Sequence, residues 1–390
     1  MSPLCERFLS AAQRDEMEPF YPLHVRICSE CLLVQLSAYV PPEEIFTDYA
    51  YFSSYSDSWV EHARRYAERM IERLGLGADS LVVELASNDG YLLQHFVERG
   101  VPALGVDPAA NVAEAARARG VETLVAFFGT EVAQELVAQG RRADLVTANN
   151  VVAHVPDLND FVAGIEQLLA PHGVVTIEVP HLVRLIEGLQ FDTIYHEHFS
   201  YFTLTTLVRV LEAHGLEAFD VEELASHGGS LRVYAKRRDD EAHAVEPAVD
   251  ALLAQERAAG YASVEGYAGF GPRVAELKWS LVELLTGFRR DGLQVAGYGA
   301  PGKGNTLLNF CGIRTDLLEY TVDRNPGKHG KFLPGTHIPI HPPERLAATK
   351  PDRILILPWN LRREIADQLA YTREWGARLA VPIPTPEVLP

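Results

Sequence analysis

A chain of 390 residues is longer than one hydrophobic core usually organises, so two or more domains are expected. Its 47% apolar and 23% charged residues are those of an ordinary globular protein. A net charge of −18 argues against a nucleic-acid surface, which needs clustered Lys and Arg, and no apolar run approaches the roughly 20 residues of a membrane span. Residues 1–13 lack the basic region and apolar core of a secretory signal, so a cytoplasmic protein with neither nucleic-acid nor membrane partners is expected.

Four cysteines are too few for a disulfide scaffold. Cys28 and Cys31 make one Cys-x-x-Cys, whereas a zinc site usually draws four ligands from two such pairs. Cys5 is the only other nearby thiol, and the βαβ pattern that accompanies a redox dithiol is missing. The pair reads as half of a zinc knuckle in a small irregular cap over residues 1–55, with a short strand at Cys31–Leu36.

Ser56 to Leu74 has Trp59, Ala63, Tyr66, Met70 and Ile71 at helical spacing, with Asp79 and Ser80 as the break. Strand, loop and helix then alternate. Strands are expected at Leu81–Leu85, Ala103–Val106, Leu124–Phe127, Asp144–Ala148 and Val174–Val179. Helices are expected over Tyr91–Arg99, Asn111–Arg119, Glu131–Ala138 and Asp160–Leu169. This alternation implies an α/β fold with a doubly wound parallel sheet, whose ligands lie beyond the carboxyl ends of the strands. A helix near Thr205–His214 and two strands, Glu217–Glu222 and Ser230–Lys236, complete a domain over 56–240. A helical linker follows over 241–290, and a second α/β unit occupies 291–390.

The first strand-to-helix turn reads Val83-Glu84-Leu85-Ala86-Ser87-Asn88-Asp89-Gly90. A dinucleotide fold places Gly-x-Gly-x-x-Gly there, so that backbone can approach a pyrophosphate. One glycine and two acids disfavour that ligand. A cationic aminoacyl ligand fits better: Glu84 meets its ammonium region, and the amides of Ser87, Asn88, Asp89 and Gly90 face its carboxylate. Asp107, ending the second strand, suits two ribose hydroxyls. This is the pattern of S-adenosylmethionine in a class I methyltransferase. Asn149 and Asn150 end the fourth strand where a methyl acceptor should approach, with His154 close by; a satisfied core histidine is the plainer alternative for the latter.

Two more stretches carry chemistry. Gly297 to Thr306 is a Gly-rich strand-to-helix loop containing Gly299, Lys303 and Asn305, and Asp323 to Gly335 is a basic loop containing Lys328 and Lys331. Loop amides, a helix N-terminus and lysines together suit a diphosphate. The Walker A spacing is absent. Between the two halves, Tyr195-His196-Glu197-His198 packs a phenol, two imidazoles and a carboxylate into four positions, flanked by Phe199, Tyr201 and Phe202. So dense a set suggests a catalytic loop.

Four motifs together resemble the sugar C-methyltransferases that act on nucleotide-linked deoxysugars: Cys28-x-x-Cys31-Leu-Leu-Val-Gln-Leu, Val83 to Leu93, Tyr195 to Phe202, and Tyr298-Gly-Ala-Pro-Gly-Lys-Gly-Asn305. The resemblance spans nearly the whole chain. It implies a zinc-binding N-terminal cap, a central S-adenosylmethionine domain and a C-terminal Rossmann-like domain for the nucleotide-sugar. The first Cys-x-x-Cys of that family would lie upstream of Met1, which leaves half of the zinc ligand set outside this chain.

The implied chemistry is methylation beside a ketone, at C3 of a dTDP-linked 4-keto-6-deoxy sugar. His198 is then the expected base, with Glu197 orienting or replacing it, Tyr195 on the enolate oxygen and His154 assisting. A monomer or weak oligomer is expected. An O- or N-methyltransferase would need the cofactor loop without an enolate-forming cluster. An NAD-dependent epimerase or dehydrogenase is opposed by Glu84 and Asp89, and a non-catalytic nucleotide-binding module leaves the His/Glu cluster unexplained.

Overall fold

A computed structural model describes residues 1–46 and 52–390. The chain forms two compact units, each built from separated stretches. One takes residues 27–182 and 199–263, the other residues 1–26, 183–198 and 264–390.

The first unit is organised by a seven-stranded sheet: β1 (Val82–Leu85), β2 (Ala103–Asp107), β3 (Glu122–Val125), β4 (Ala143–Asn149), β5 (Leu169–Pro180), β6 (Leu216–Leu224) and β7 (Ser230–Arg237). Their order is β3-β2-β1-β4-β5-β7-β6. Pairing is parallel through β5, and β7 runs antiparallel to both β5 and β6. The strand order reverses between β1 and β4, the place where such sheets bind ligands. Val82, Val83 and Leu85 are wholly buried because helices cover both faces.

Helix α1 (Asp57–Leu74) opens at Ser56, whose hydroxyl accepts the Trp59 amide, and buries Ala63, Tyr66, Ala67 and Met70. It ends at Leu74, the expected end of the helix, and is closed by Gly75 with φ 63°. The helix expected over Tyr91–Arg99 shrinks to Gln94–Val97, since the residues before it are drawn into the loop after β1.

The second unit has a six-stranded sheet: β8 (Val295–Tyr298), β9 (Tyr320–Val322), β10 (Ile340–His341), β11 (Arg353–Ile356), β12 (Arg378–Val381) and β13 (Glu387–Val388). Its order is β10-β9-β8-β11-β12-β13, parallel except for β13 against β12. Helices α2 (Phe270–Arg290) and α3 (Gly302–Cys311) pack their apolar faces into one cluster with Phe191, Leu333 and Trp359.

The domain boundaries read from sequence follow the chain, but the contacts do not. Leu9 and Phe332 exchange backbone hydrogen bonds of 3.0 and 2.8 Å, tying the N-terminus into the six-stranded unit. The cap expected over 1–55 is therefore divided after Arg26, and residues 183–198 leave the expected 56–240 domain because Phe191 joins the other core.

Candidate active site

At the end of β1 the backbone alternates in a way the residue types conceal. Ala86, Asn88 and Gly90 have φ of 55°, 49° and 76°. Those are left-handed positions that glycine adopts without strain, so Ala86 and Asn88 hold a glycine-type loop at some conformational cost. The strand behind comes close: a Cβ on Gly105 would lie 2.3 Å from Ser87 Oγ, which explains glycine inside β2.

Asp107 braces this loop. Its Oδ2 accepts the Asn88 amide at 2.9 Å and its Oδ1 the Ala109 amide at 2.9 Å. Asp89 Oδ2 meets Arg119 (2.8 Å) and the Ser54 hydroxyl and so props the loop, while its Oδ1 is buried without a hydrogen-bond partner among the described residues. Ser53 donates its amide to Asn88 Oδ1 at 2.9 Å. Glu84 is buried, and burial, then the charges of Asp107 and Asp89, push its carboxyl well above the usual range; Tyr91 supplies an opposing hydrogen bond.

Among the described residues, Glu84 Oε2, Ser87 Oγ, Asn149 Oδ1 and Asn150 Oδ1 are buried without a hydrogen-bond partner. Such atoms are costly unless something satisfies them. A ligand with an ammonium, hydroxyls and an amine has the matching donors, so the residues fit S-adenosylmethionine. His154 lies in a short turn, Val152–His154, half-buried, with the Phe46 ring edge-on at 5.7 Å.

Sequence reading missed a buried charge set at the carboxyl end of β5. Glu178 takes the Ser226 hydroxyl at 2.9 Å, His62 Nε2 at 3.1 Å and Arg232 at 2.6 Å. Burial would raise its carboxyl, but these partners outweigh it and hold Glu178 down to about 2. Trp59 stacks on His62 at 4.8 Å and on Tyr91 at 6.1 Å. The signal was a lone acid inside the apolar run Val174–Val179.

In the six-stranded unit the His/Glu cluster is buried, with Glu197 at 5% and His198 at 8% exposure. His198 Nδ1 donates to the Thr193 carbonyl at 2.7 Å, and its ring lies 4.1 Å from that of Tyr195. A carbonyl only accepts, so Nδ1 carries the hydrogen and Nε2 of the neutral ring carries the lone pair. His196 bonds the Pro22 carbonyl at 3.2 Å, and burial holds it below the usual imidazole range. Glu197 Oε1 accepts the Cys5 thiol at 3.5 Å; burial, then Glu6, raises its carboxyl from 4.5 to about 8. Nothing in the sequence pattern linked Cys5 and Glu6 to this loop.

The two phosphate-loop candidates are already partly engaged. A Cβ on Gly302 would fall 2.8 Å from Glu6 Oε1, so the start of α3 holds a protein carboxylate. Asn305 is buried and donates to the Cys5 carbonyl at 2.5 Å. Lys303 donates to Asn360 at 2.7 Å and lies 4.9 Å above the Trp359 ring. Lys328 donates to the Ala300 carbonyl at 2.8 Å and pairs with Glu6 at 3.7 Å. Asp323 accepts the Ala300 and Asn325 amides at 2.7 and 2.8 Å, joining both loops. Gly299, with φ 87°, is pressed against Pro358, where a Cβ would come within 2.6 Å. Lys331 is exposed.

Cys28 and Cys31 bracket a tight turn, in which Leu32 donates to the Cys28 carbonyl and Cys28 to the Leu33 carbonyl, both at 3.0 Å. Hydrogen bonds from the Cys31 and Glu30 backbone hold the Cys28 thiol below its ordinary range. Among the described residues no group of three His, Cys, Asp or Glu is placed to hold a metal, so the residues present do not complete a zinc site.

Three family models match the chain: a candidate "zinc binding domain" over residues 1–46, a methyltransferase domain over 59–221 and a C-methyltransferase C-terminal domain over 225–384. The chain is 41% identical over 388 residues to the C-methyltransferase NovU of Streptomyces niveus, covering 100% of this chain and 92% of that protein. It is 26% identical over 189 residues to a ubiquinone biosynthesis O-methyltransferase of Methylobacterium sp. (strain 4-46), covering 46% of this chain and 73% of that one. A solved 1,6-didemethyltoxoflavin-N1-methyltransferase of Burkholderia thailandensis is 21% identical, covering 53% of this chain and 95% of that chain, with a TM-score of 0.37.

Proposed function

The chain belongs to the S-adenosylmethionine-dependent C-methyltransferases, and from that premise we propose that it methylates a nucleotide-linked 4-keto-6-deoxy sugar, carried by dTDP, at the carbon beside the ketone. The bound cofactor supplies an electrophilic methyl group to a carbon nucleophile. The protein's task is to make that carbon nucleophilic by taking its proton and stabilising the enolate.

The observation that carries this reading is the Thr193–His198 hydrogen bond, which fixes the ring and supports the tautomer whose Nε2 carries the basic lone pair. As His198 takes the proton, the C–H electron pair becomes the enolate, and Tyr195, whose ring lies against that of His198, bonds its oxygen. The carbon then forms its bond to the methyl group as the sulfonium–methyl bond breaks, leaving a thioether. Glu197, protonated below about pH 8, serves as a neutral group of the cluster and becomes a second base only in alkali. Ser87, on the loop braced by Asp107, holds the cofactor together with Glu84, Asn149 and Asn150 from the strand ends, and His154 assists the transfer. The exposed Lys331 meets the diphosphate, since Lys303 and Lys328 have protein partners.

A C4 ketone acidifies hydrogens on C3 and C5 alike, and C3 is the proposed carbon. The test incubates the full chain with labelled S-adenosylmethionine and a panel of dTDP-4-keto-6-deoxy sugars, followed by mass spectrometry and positional analysis. Label on C3 of a sugar, lost in His198→Ala, is expected. Label on oxygen or nitrogen would refute C-methylation of these sugars, label on C5 would refute the C3 assignment, and undiminished turnover in His198→Ala would refute the base.

A further inference from the structure

We propose that Asp192 and Trp359 form a clamp that positions His198 for proton abstraction, an inference that rests on the reading of His198 as the base. The clamp acts on the short turn Phe191–Thr193 that immediately precedes the cluster. Asp192 is fully buried, and its Oδ2 accepts the Trp359 indole N–H at 2.7 Å across 167 residues of sequence. Trp359 follows the carboxyl end of β11 and is itself buried, so the anchor stands on the sheet. Next door, Phe191 packs on Phe310 with ring centres 4.9 Å apart and shares the apolar cluster of Trp359. The turn is thus held at one polar and one apolar point.

Further bonds tie the turn to its sequence neighbours. The Thr193 amide and hydroxyl donate to the Gln190 carbonyl at 3.1 and 2.8 Å, and the Ile194 amide donates to the Phe191 carbonyl at 3.0 Å. The Thr193 carbonyl that orients His198 is therefore one residue from the clamp. Lys303 supplies the charge opposing Asp192, and is itself steadied by Asn360 and the face of Trp359.

An apolar plug would fill this space with less desolvation cost than a buried carboxylate and ammonium. A carboxylate on an indole N–H adds direction to distance. A base aimed at one C–H bond needs that, because misplacement by about 1 Å can cost on the order of 100-fold in rate.

The test measures exchange of the hydrogen beside the ketone of dTDP-4-keto-6-deoxyglucose in deuterated water, with S-adenosylhomocysteine in the cofactor site. Trp359→Phe and Asp192→Ala should slow exchange roughly 10- to 100-fold. The KM for the sugar should stay within about threefold, and thermal stabilisation by S-adenosylhomocysteine should not change. Asp192→Asn, whose amide oxygen still accepts from the indole, should remain within about fivefold of wild type. Wild-type exchange in Trp359→Phe would overturn the clamp, and so would equal losses in Asp192→Asn and Asp192→Ala. A slowed variant that also loses its response to S-adenosylhomocysteine would reveal a merely structural role and overturn it too. His198→Ala, run in parallel, separates the two ideas. If it is inert while Trp359→Phe exchanges normally, only the clamp fails; if it exchanges normally, the base assignment fails and the clamp with it.

Discussion

Glu197→Gln should change how stability responds to pH. Glu197 is 5% exposed beside the Cys5 thiol, and its carboxyl is raised from 4.5 to about 8 by burial and by Glu6. Between those values the native protein keeps a proton that the unfolded chain has released. Stability from this group is fully present below pH 4.5 and is lost as pH rises through about 8. Each pH unit inside the window costs the native state about 1.4 kcal/mol, and the whole window at most about 5 kcal/mol, with Lys328 relieving part of the buried charge.

Gln has nearly the shape of the protonated acid and cannot ionise. The variant should therefore match wild type near pH 5 and be more stable by about 1–3 kcal/mol near pH 9. Urea unfolding of both proteins across that range reads the difference, provided the transition of the six-stranded unit is followed. A gap that does not change with pH would refute the buried proton. A gap that shrinks as pH rises would reverse the sign of the reasoning.

Three further outcomes are expected. Asp107→Ala leaves the Asn88 and Ala109 amides without their acceptor, and should weaken S-adenosylhomocysteine binding by roughly 10- to 100-fold in calorimetry; unchanged binding would remove Asp107 from the cofactor loop. Lys331→Ala should raise the KM for the sugar nucleotide about tenfold with kcat within about twofold, and an unaltered KM would take that loop out of the site. Ala86→Gly relieves a left-handed alanine and should stabilise the protein by up to about 1 kcal/mol in urea unfolding; a loss of stability would show that the strain is absent.

The alternating pattern of the chain was legible because buried parallel strands are apolar on both faces and their loops concentrate charge. Glu84, Asp107 and the Asn149–Asn150 pair could be placed at strand ends for that reason, and the strand order confirms the doubly wound sheet. Asp89 belonged to the same motif, yet its side chain turns to Arg119, because a loop of left-handed residues sends neighbouring side chains in different directions. Lys303 shows the same limit. A lysine in a Gly-rich loop suggests phosphate, while the fold surrounds it with Asn360, Trp359 and Asp192.

Sequence alone determined the α/β class and singled out the acid-bearing loop after the first strand and the Tyr195–His198 cluster as candidates, since each depends on residues close together in the chain. Tertiary structure decided which distant groups condition that loop: Cys5 and Glu6 at Glu197, and Trp359 at Asp192. Local periodicity records which face of an element is buried, but not what it is buried against. A buried carboxylate's proton affinity and aim depend on those partners, and only the folded chain assembles them.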